Sequence, residues 1–436
     1  MHPASALADL ADPAPTDPEL ERVLLGRAVR TVFQPVVRLS DREVLGYEAL
    51  SRGTAGGRLE RPDLLFDAAR SAGRVRELDE LCRERALSAA LAGGMTGDLM
   101  VFVNGEPDAL DVRSLRRPGG ALARAQEQLR VVIEVTERAL TAQPAELLAV
   151  VRRVRELGWA IALDDVGADP RSLALMPFLA PDIIKLDLRL VQEQPSLAVA
   201  EIVAAVAAES ERSGALVLAE GIETEEHALL AASMGATLGQ GWLFGRPAPV
   251  DVAPPQPGRP LLLPTRALPV ARCHAVFDLV AGRRPVQRSS KRLLQAISLH
   301  LEQQAASLGD FAVVLGTFEQ ASYFTADTAR RYQRLAAGAG FVGALGTGMP
   351  REPAPGVRGA DLIAGDPLRG EWDVAVLGPH FAAALVARDL LDEPGDEGVA
   401  ADEDRRFDYV LTYDRGLVTA VAVSLMGRIV SEHNDS

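Results

Sequence analysis

Residues 99–104 read Leu-Met-Val-Phe-Val-Asn, and residues 131–137 read Val-Val-Ile-Glu-Val-Thr-Glu. Both runs are apolar at odd and even positions alike, the pattern of a strand buried on both faces in a parallel sheet covered by helices. Each also carries an oxygen-bearing side chain near its end, Asn104 in the first and Glu134 in the second. The same design recurs on either side. GYEAL brings Glu48, WAIALDD brings Asp164 and Asp165, DIIKLD brings Lys185 and Asp187, LVLAEG brings Glu220, and GATLGQ brings Gln240. Strand-like runs fall at 32–39, 44–50, 99–104, 131–136, 159–165, 182–187, 216–220 and 237–241, with helical patterns at 62–72, 78–92, 144–157, 190–213 and 225–234. Eight such units in this length predict a closed, TIM-like (β/α)8 barrel. The first two strands are joined only by LSDREV, too short for a crossover helix, so they are expected to form an antiparallel hairpin.

In a barrel the C-terminal strand ends converge on one face, so these acids are expected to crowd together. Mutual repulsion makes that costly without a cation. A lone acid after a strand reads equally well as a helix cap, and Asn104, Glu223 and Thr224 each allow that reading. The set taken together favours metal. Oxygen ligands without Cys or His suit Mg2+ or Mn2+ rather than Zn2+. The adjacent Asp164 and Asp165 are placed to bridge two ions, an arrangement suited to in-line displacement at phosphorus. Of the 46 basic residues only Lys185 and Lys291 are lysines, so Lys185 points to chemistry needing a compact ammonium. Two residues apart on a strand, Lys185 and Asp187 are expected to face the same side, toward water and substrate.

Composition bounds the rest. The chain has 436 residues, 48% of them hydrophobic, a net charge of −14 and 5% aromatics. That predicts two or three globular domains and disfavours nucleic-acid duplexes and stacking platforms for single strands. The two cysteines, Cys82 and Cys273, build no disulfide framework, and no apolar run is long enough to span a bilayer. These features predict a cytoplasmic protein without a membrane partner. Residues 1–18 read as a disordered lead-in and 249–266 as a proline-rich linker. Residues 267–432 read as a smaller α+β domain with helices at 290–307, 325–337 and 380–390, strands that include VTAVAVSL (418–425), and an acidic loop at 392–406. The Cys273–His274 pair reads as buried packing rather than a metal or redox site.

The ordered motifs carry a family resemblance. FQP (Phe33–Pro35), YEALSR (Tyr47–Arg52), VN at Asn104, EVTE (Glu134–Glu137), Asp164–Asp165, IKLD, AEGIET and QGWLFGRP together resemble the EAL domain, whose members are metal-dependent phosphodiesterases of cyclic di-GMP. The resemblance implies a barrel with an antiparallel first strand. It also implies two Mg2+ or Mn2+ ions held by Glu48, Asn104, Glu134, Asp164, Asp165 and Glu220. Lys185 and Gln240 would act around the attacking water, with Gln34 and Arg52 on the dinucleotide. The product would be linear pGpG, and the barrel would pair as a homodimer. Where such domains read DDFGTGYSS, this chain reads DDVGADPRS. Val166, Ala168, Asp169, Pro170 and Arg171 therefore depart from the pattern, in a loop that Glu137, Ser172 and Glu223 would brace. This loop leaves open a second reading, a receptor that binds cyclic di-GMP without cleaving it. The C-terminal half resembles a DICT sensory domain, with an unknown signal or protein partner; a plain dimerisation module is the alternative.

Overall fold

A computed structural model of the chain describes residues 17–105, 120–136, 144–169, 171–250, 261, 263, 275–390 and 405–429. All of the expected lead-in but Asp17 and Pro18, most of the linker and of the acidic loop, Glu137, Pro170, Cys273 and His274 lie outside the described residues.

The eight expected strands are present within a few residues of their predicted bounds: β1 (Arg30–Arg38), β2 (Val44–Arg52), β3 (Met100–Asn104), β4 (Arg130–Val135), β5 (Ala160–Val166), β6 (Ile183–Leu186), β7 (Leu216–Ala219) and β8 (Leu238–Gln240). They close into a barrel in sequence order. β1 runs antiparallel to both β2 and β8, while the remaining neighbours are parallel. The five-residue connection 39–43 can reverse direction but cannot carry the chain back for a parallel return, which explains the inverted strand. The long helix expected over 190–213 is two helices, Leu188–Gln192 and Leu197–Ser213. Pro195 lies in the break, where proline cannot donate to a helical ladder. Ser196 then starts the second helix by accepting from the Val199 amide at 3.3 Å.

The barrel interior is packed by Val36, Leu45, Met100, Phe102, Val132, Ile183 and Leu238, and Leu261 and Leu263 pack against the same cluster.

The C-terminal domain is a seven-stranded mixed sheet in the order β12-β11-β10-β13-β14-β15-β9. Its strands are β9 (Gln287–Ser290), β10 (Val313–Gln320), β11 (Phe341–Thr347), β12 (Arg358–Asp361), β13 (Glu371–Leu377), β14 (Ala382–Asp389) and β15 (Arg406–Thr412). Helices Lys291–Leu308 and Ala326–Ala336 cover one face, where Leu294, Leu301, Tyr332 and Val374 form a core. Helices Val276–Ala281 and Arg415–Met426 cover the other.

Two expectations are corrected here. The 380–390 stretch, read as a helix from its alanines, is β14. It is paired on both sides and buried on both faces, so tertiary burial overrides helix propensity. VTAVAVSL, read as a strand from its valines, lies in the helix Arg415–Met426. Asp414 caps that helix by accepting from the Leu417 amide at 3.0 Å, and both faces are buried.

The domains are not separate bodies on a tether. The Arg415–Met426 helix packs against the barrel helices Pro144–Glu156 and Ser172–Leu179, and the short turn Gly309–Phe311 packs on Ser172–Leu179 as well. One hydrophobic cluster runs through Leu173, Ala174 and Phe178 of the barrel into Val418, Val421 and Leu425. Gly340 is required there, since a Cβ would lie 2.9 Å from the Ala174 Cβ.

Candidate divalent-cation site

The strand ends bring the predicted acids around Lys185. Its ammonium stands 2.5 Å from Glu134 Oε1, 2.8 Å from Glu220 Oε1, 2.9 Å from Asp164 Oδ1 and 3.9 Å from Glu48 Oε1. Lys185 and Glu134 are each only 1% exposed. Burial works against the lysine's charge, yet Asp164, Glu134, Glu220 and Glu48 outweigh it and raise its pKa well above the ordinary lysine value. Burial pushes the Glu134 carboxyl well up, opposed by Lys185 and reinforced by the neighbouring acids. Burial likewise pushes Glu220 up to about 8, with Lys185 opposing and Asp164 adding.

Strand register explains how the cluster assembles. Gln34 of β1 lies opposite Glu48 of β2, and Asn104 of β3 beside Glu134 of β4. Asn104 Nδ2 reaches Glu48 Oε1 at 3.4 Å. The Gln240 amide donates to both Glu48 and Gln34, the latter at 3.1 Å, and Gln34 in turn donates to the Gly245 carbonyl at 3.1 Å. Successive side chains on a strand face opposite ways, so Asp164 and Asp165 should diverge. They do not, because the pairing of β5 with β6 shifts between Leu163 and Val166 and Asp165 takes a left-handed φ of +54°. Carboxylate oxygens of Asp164, Asp165 and Glu220 can all lie within 4.8 Å of one another.

This donor set fits a divalent ion. Glu134 Oε2 is buried without a hydrogen bond, while Glu134 Oε1 and Asp164 Oδ1 face the Lys185 ammonium. Four carboxylates stand within 3.9 Å of a single ammonium, so the cluster has room for further positive charge.

Four predicted residues stand apart. β6 ends at Leu186, so Asp187 does not follow Lys185 into the cluster; its carboxylate accepts from the Arg189 amide at 2.9 Å and from Arg189 Nε at 2.8 Å, capping the Leu188–Gln192 helix. Arg52 donates to the Ser51 carbonyl at 2.8 Å and feels Glu48 only through space. Glu223 is exposed, its amide donating to His227 Nδ1 at 3.3 Å, while Thr224 caps the next helix. Ser172 begins the Ser172–Leu179 helix. The loop before it is tight: Val166 bridges to Asp169, and the Asp169 carboxylate accepts from the Arg171 amide at 2.9 Å. Gly167 has φ +106°, and a Cβ there would meet Leu190 Cδ1 at 2.6 Å, so this position needs glycine.

Sequence reasoning left out Trp242 and Arg246, which sit just past β8 with the Arg246 guanidinium 4.5 Å from the indole centroid and the indole 55% exposed. The run QGWLFGRP contains both, and an exposed tryptophan in an aromatic-poor chain was the available signal.

A closed barrel with its first strand inverted and a buried lysine ringed by strand-end acids defines a metal-assisted barrel class. The EAL-domain profile matches residues 18–247, and the chain belongs to that family. The DICT profile, described as a sensory domain in diguanylate cyclases and two-component systems, matches residues 271–390. Among curated proteins the chain is 31% identical over 245 residues to the cyclic di-GMP phosphodiesterase NbdA of Pseudomonas aeruginosa, covering 53% of this chain and 30% of that one. It is 34% identical over 122 residues to the cyclic di-GMP phosphodiesterase RocR of the same organism, covering 27% and 31%. The chain thus spans less than a third of the length of either relative. Among solved structures, BlrP1 of Klebsiella pneumoniae in a manganese and cyclic di-GMP complex is 31% identical at a TM-score of 0.44, covering 51% of this chain and 57% of that one.

Proposed function

We propose that the barrel hydrolyses one phosphodiester of cyclic di-GMP to give linear pGpG, and that the C-terminal domain sets its rate. The observation that carries this reading is the gathering of Glu48, Glu134, Asp164 and Glu220 around one buried ammonium, with Asp165 turned in beside them. Glu48, Asn104, Glu134, Asp164, Asp165 and Glu220 would hold two divalent ions, Mg2+ or Mn2+. When bound, such ions supply charge to the phosphate and lower the pKa of water. Lys185 stays protonated and donates to the attacking water or to a phosphoryl oxygen. Gln240, fixed between Glu48 and Gln34, orients Glu48 and presents its amide to the same region. Gln34 and Arg52 contact the dinucleotide, and Asp187 supports the mouth by capping the helix after β6.

A turnover assay with cyclic di-GMP and Mn2+ tests the reading. Product pGpG is expected from the parent and a fall of about a thousandfold from Glu48→Ala, since one substitution removes both a ligand and the partner of Gln240. Absence of pGpG from both proteins would end it. The departing Val166–Arg171 stretch favours the second reading, a receptor; tight binding in EDTA with no turnover in either metal would establish that instead.

Regulation is assigned to the packing of the C-terminal domain on the Ser172–Leu179 helix, which continues directly from the loop that positions Asp164 and Asp165. Docking would hold that loop in its left-handed geometry. Ala174→Glu places a charge in the buried contact and is expected to lower kcat about tenfold with the barrel still folded, as read by turnover alongside thermal unfolding. An unchanged kcat would uncouple the two domains. Any barrel-to-barrel homodimer is assigned to faces other than this helix.

A further inference from the structure

Away from the barrel, the C-terminal sheet and its two covering helices enclose a cavity of about 470 Å3. It lies on the face opposite the barrel contact, between Lys291–Leu308, Ala326–Ala336 and strands β10, β13 and β15. The chain holds only 3 Trp, 5 Tyr and 12 Phe, yet Phe318, Tyr323, Tyr332, Trp372 and Phe407 all line this one cavity. Four of the five, with the neighbouring Phe324, stand in two sets. Phe318, Phe324 and Tyr332 meet edge to face with centroids 5.0–5.6 Å apart. Trp372 and Phe407 meet at 5.7 Å and 83°. In an edge-to-face pair the ring that presents its edge keeps both faces uncovered by its partner, so such pairs can still accept a stacked guest.

The polar groups narrow the guest further. Ser298 is 7% exposed, lines the cavity, and its hydroxyl is buried without a hydrogen bond. A buried hydroxyl left unpaired is costly, and a ligand group would satisfy it. The cations on the wall are already committed: Arg331 pairs with Glu302 at 2.8 Å, and Arg405 pairs with Asp389 and, at 3.1 Å, with Glu319. The Lys291 ammonium lies over the Tyr323 ring at 5.4 Å. An anion would have to break these pairs, so neither a phosphate ester nor the dinucleotide suits the site.

We propose that this cavity binds an uncharged, planar heteroaromatic molecule of two or three fused rings, stacked among Phe318, Trp372 and Phe407 and hydrogen-bonded at its edge by Ser298 and the Tyr332 hydroxyl. The site is a ligand-binding site in its own right, independent of any chemistry in the barrel. A cavity of this size is in the range that encloses such molecules.

Saturation-transfer NMR on the full chain in EDTA, which silences the barrel, tests this with indole, 4-quinolone, flavone and lumichrome as neutral probes and FMN and AMP as phosphorylated ones. At least one neutral probe is expected to bind saturably below about 100 µM, with no binding of FMN or AMP to the same site. Leu299 lines the cavity and is 41% exposed, so Leu299→Trp can fill the mouth without disturbing the core and is expected to abolish binding. Tyr332→Phe is expected to weaken it about fivefold, the worth of one ordinary hydrogen bond. Failure of all four neutral probes at 1 mM, binding that survives Leu299→Trp, or equal binding of the phosphorylated probes would each overturn the proposal. None of these readouts depends on turnover, so they stand or fall apart from the phosphodiesterase reading.

Discussion

Lys185→Arg is expected to lower kcat at least about a hundredfold while changing the affinity for cyclic di-GMP by no more than a few-fold. The ammonium fits among four carboxylates at 2.5–3.9 Å with side-chain exposure of 1%. A guanidinium is planar and larger, and it must push at least one of those carboxylates aside. Charge is conserved by the substitution, so net binding of an anionic substrate is largely kept. What is lost is a point donor at the reacting phosphorus, and removing one preorganised donor typically costs about 10²–10³ in kcat. Lys185→Met separates the two roles of the lysine. It removes the cation altogether, so metal-free Lys185→Met should unfold at a lower temperature than metal-free Lys185→Arg. Rates from pGpG formation and affinities measured in EDTA provide the check. Equal kcat for Lys185→Arg and parent would show that the ammonium is structural ballast for the acids and no more.

This centre was legible in the sequence because buried parallel strands leave a strong trace. Residues of β3 and β4 are apolar on both faces, so their limits and the oxygen-bearing Asn104 and Glu134 near their ends could be read directly. Lys185 showed itself by its rarity among so many arginines. Asp187 was misplaced by one structural step: β6 stops at Leu186, and alternation ceases to apply where the chain turns into a helix. Asp165 comes beside Asp164 for a reason the sequence does not carry, a register shift with a positive φ at a non-glycine residue. In the C-terminal domain valine and alanine misled in opposite directions, since β14 and the Arg415–Met426 helix are buried on all sides and burial outweighs intrinsic preference. The docking of that helix on Ser172–Leu179 was invisible, because an apolar helix face does not name its partner.

The second large effect concerns pH and metal together. Glu134 and Glu220 both carry raised pKa values in the metal-free fold, Glu220 to about 8 against an ordinary 4.5. A carboxyl with a raised folded-state pKa binds more protons folded than unfolded, so it favours the fold fully below the unfolded value. That contribution is lost as pH rises through about 8. Metal-free protein is therefore expected to lose melting temperature between about pH 6 and 8.5, by a few degrees, since the Glu220 side chain keeps 20% of its exposure and solvent softens the penalty. Mn2+ takes the place of the missing protons, so its stabilising shift should be small at pH 6 and largest near pH 8.5, with proton release on binding measurable by calorimetry in two buffers. Glu220→Gln removes one titrating carboxyl and should flatten the metal-free curve while weakening the Mn2+ shift. A metal-free melting temperature that rises over this range, or a Mn2+ shift indifferent to pH, would mean that Lys185 alone neutralises the acids and that the cluster is a closed salt-bridge core instead of a site awaiting a cation.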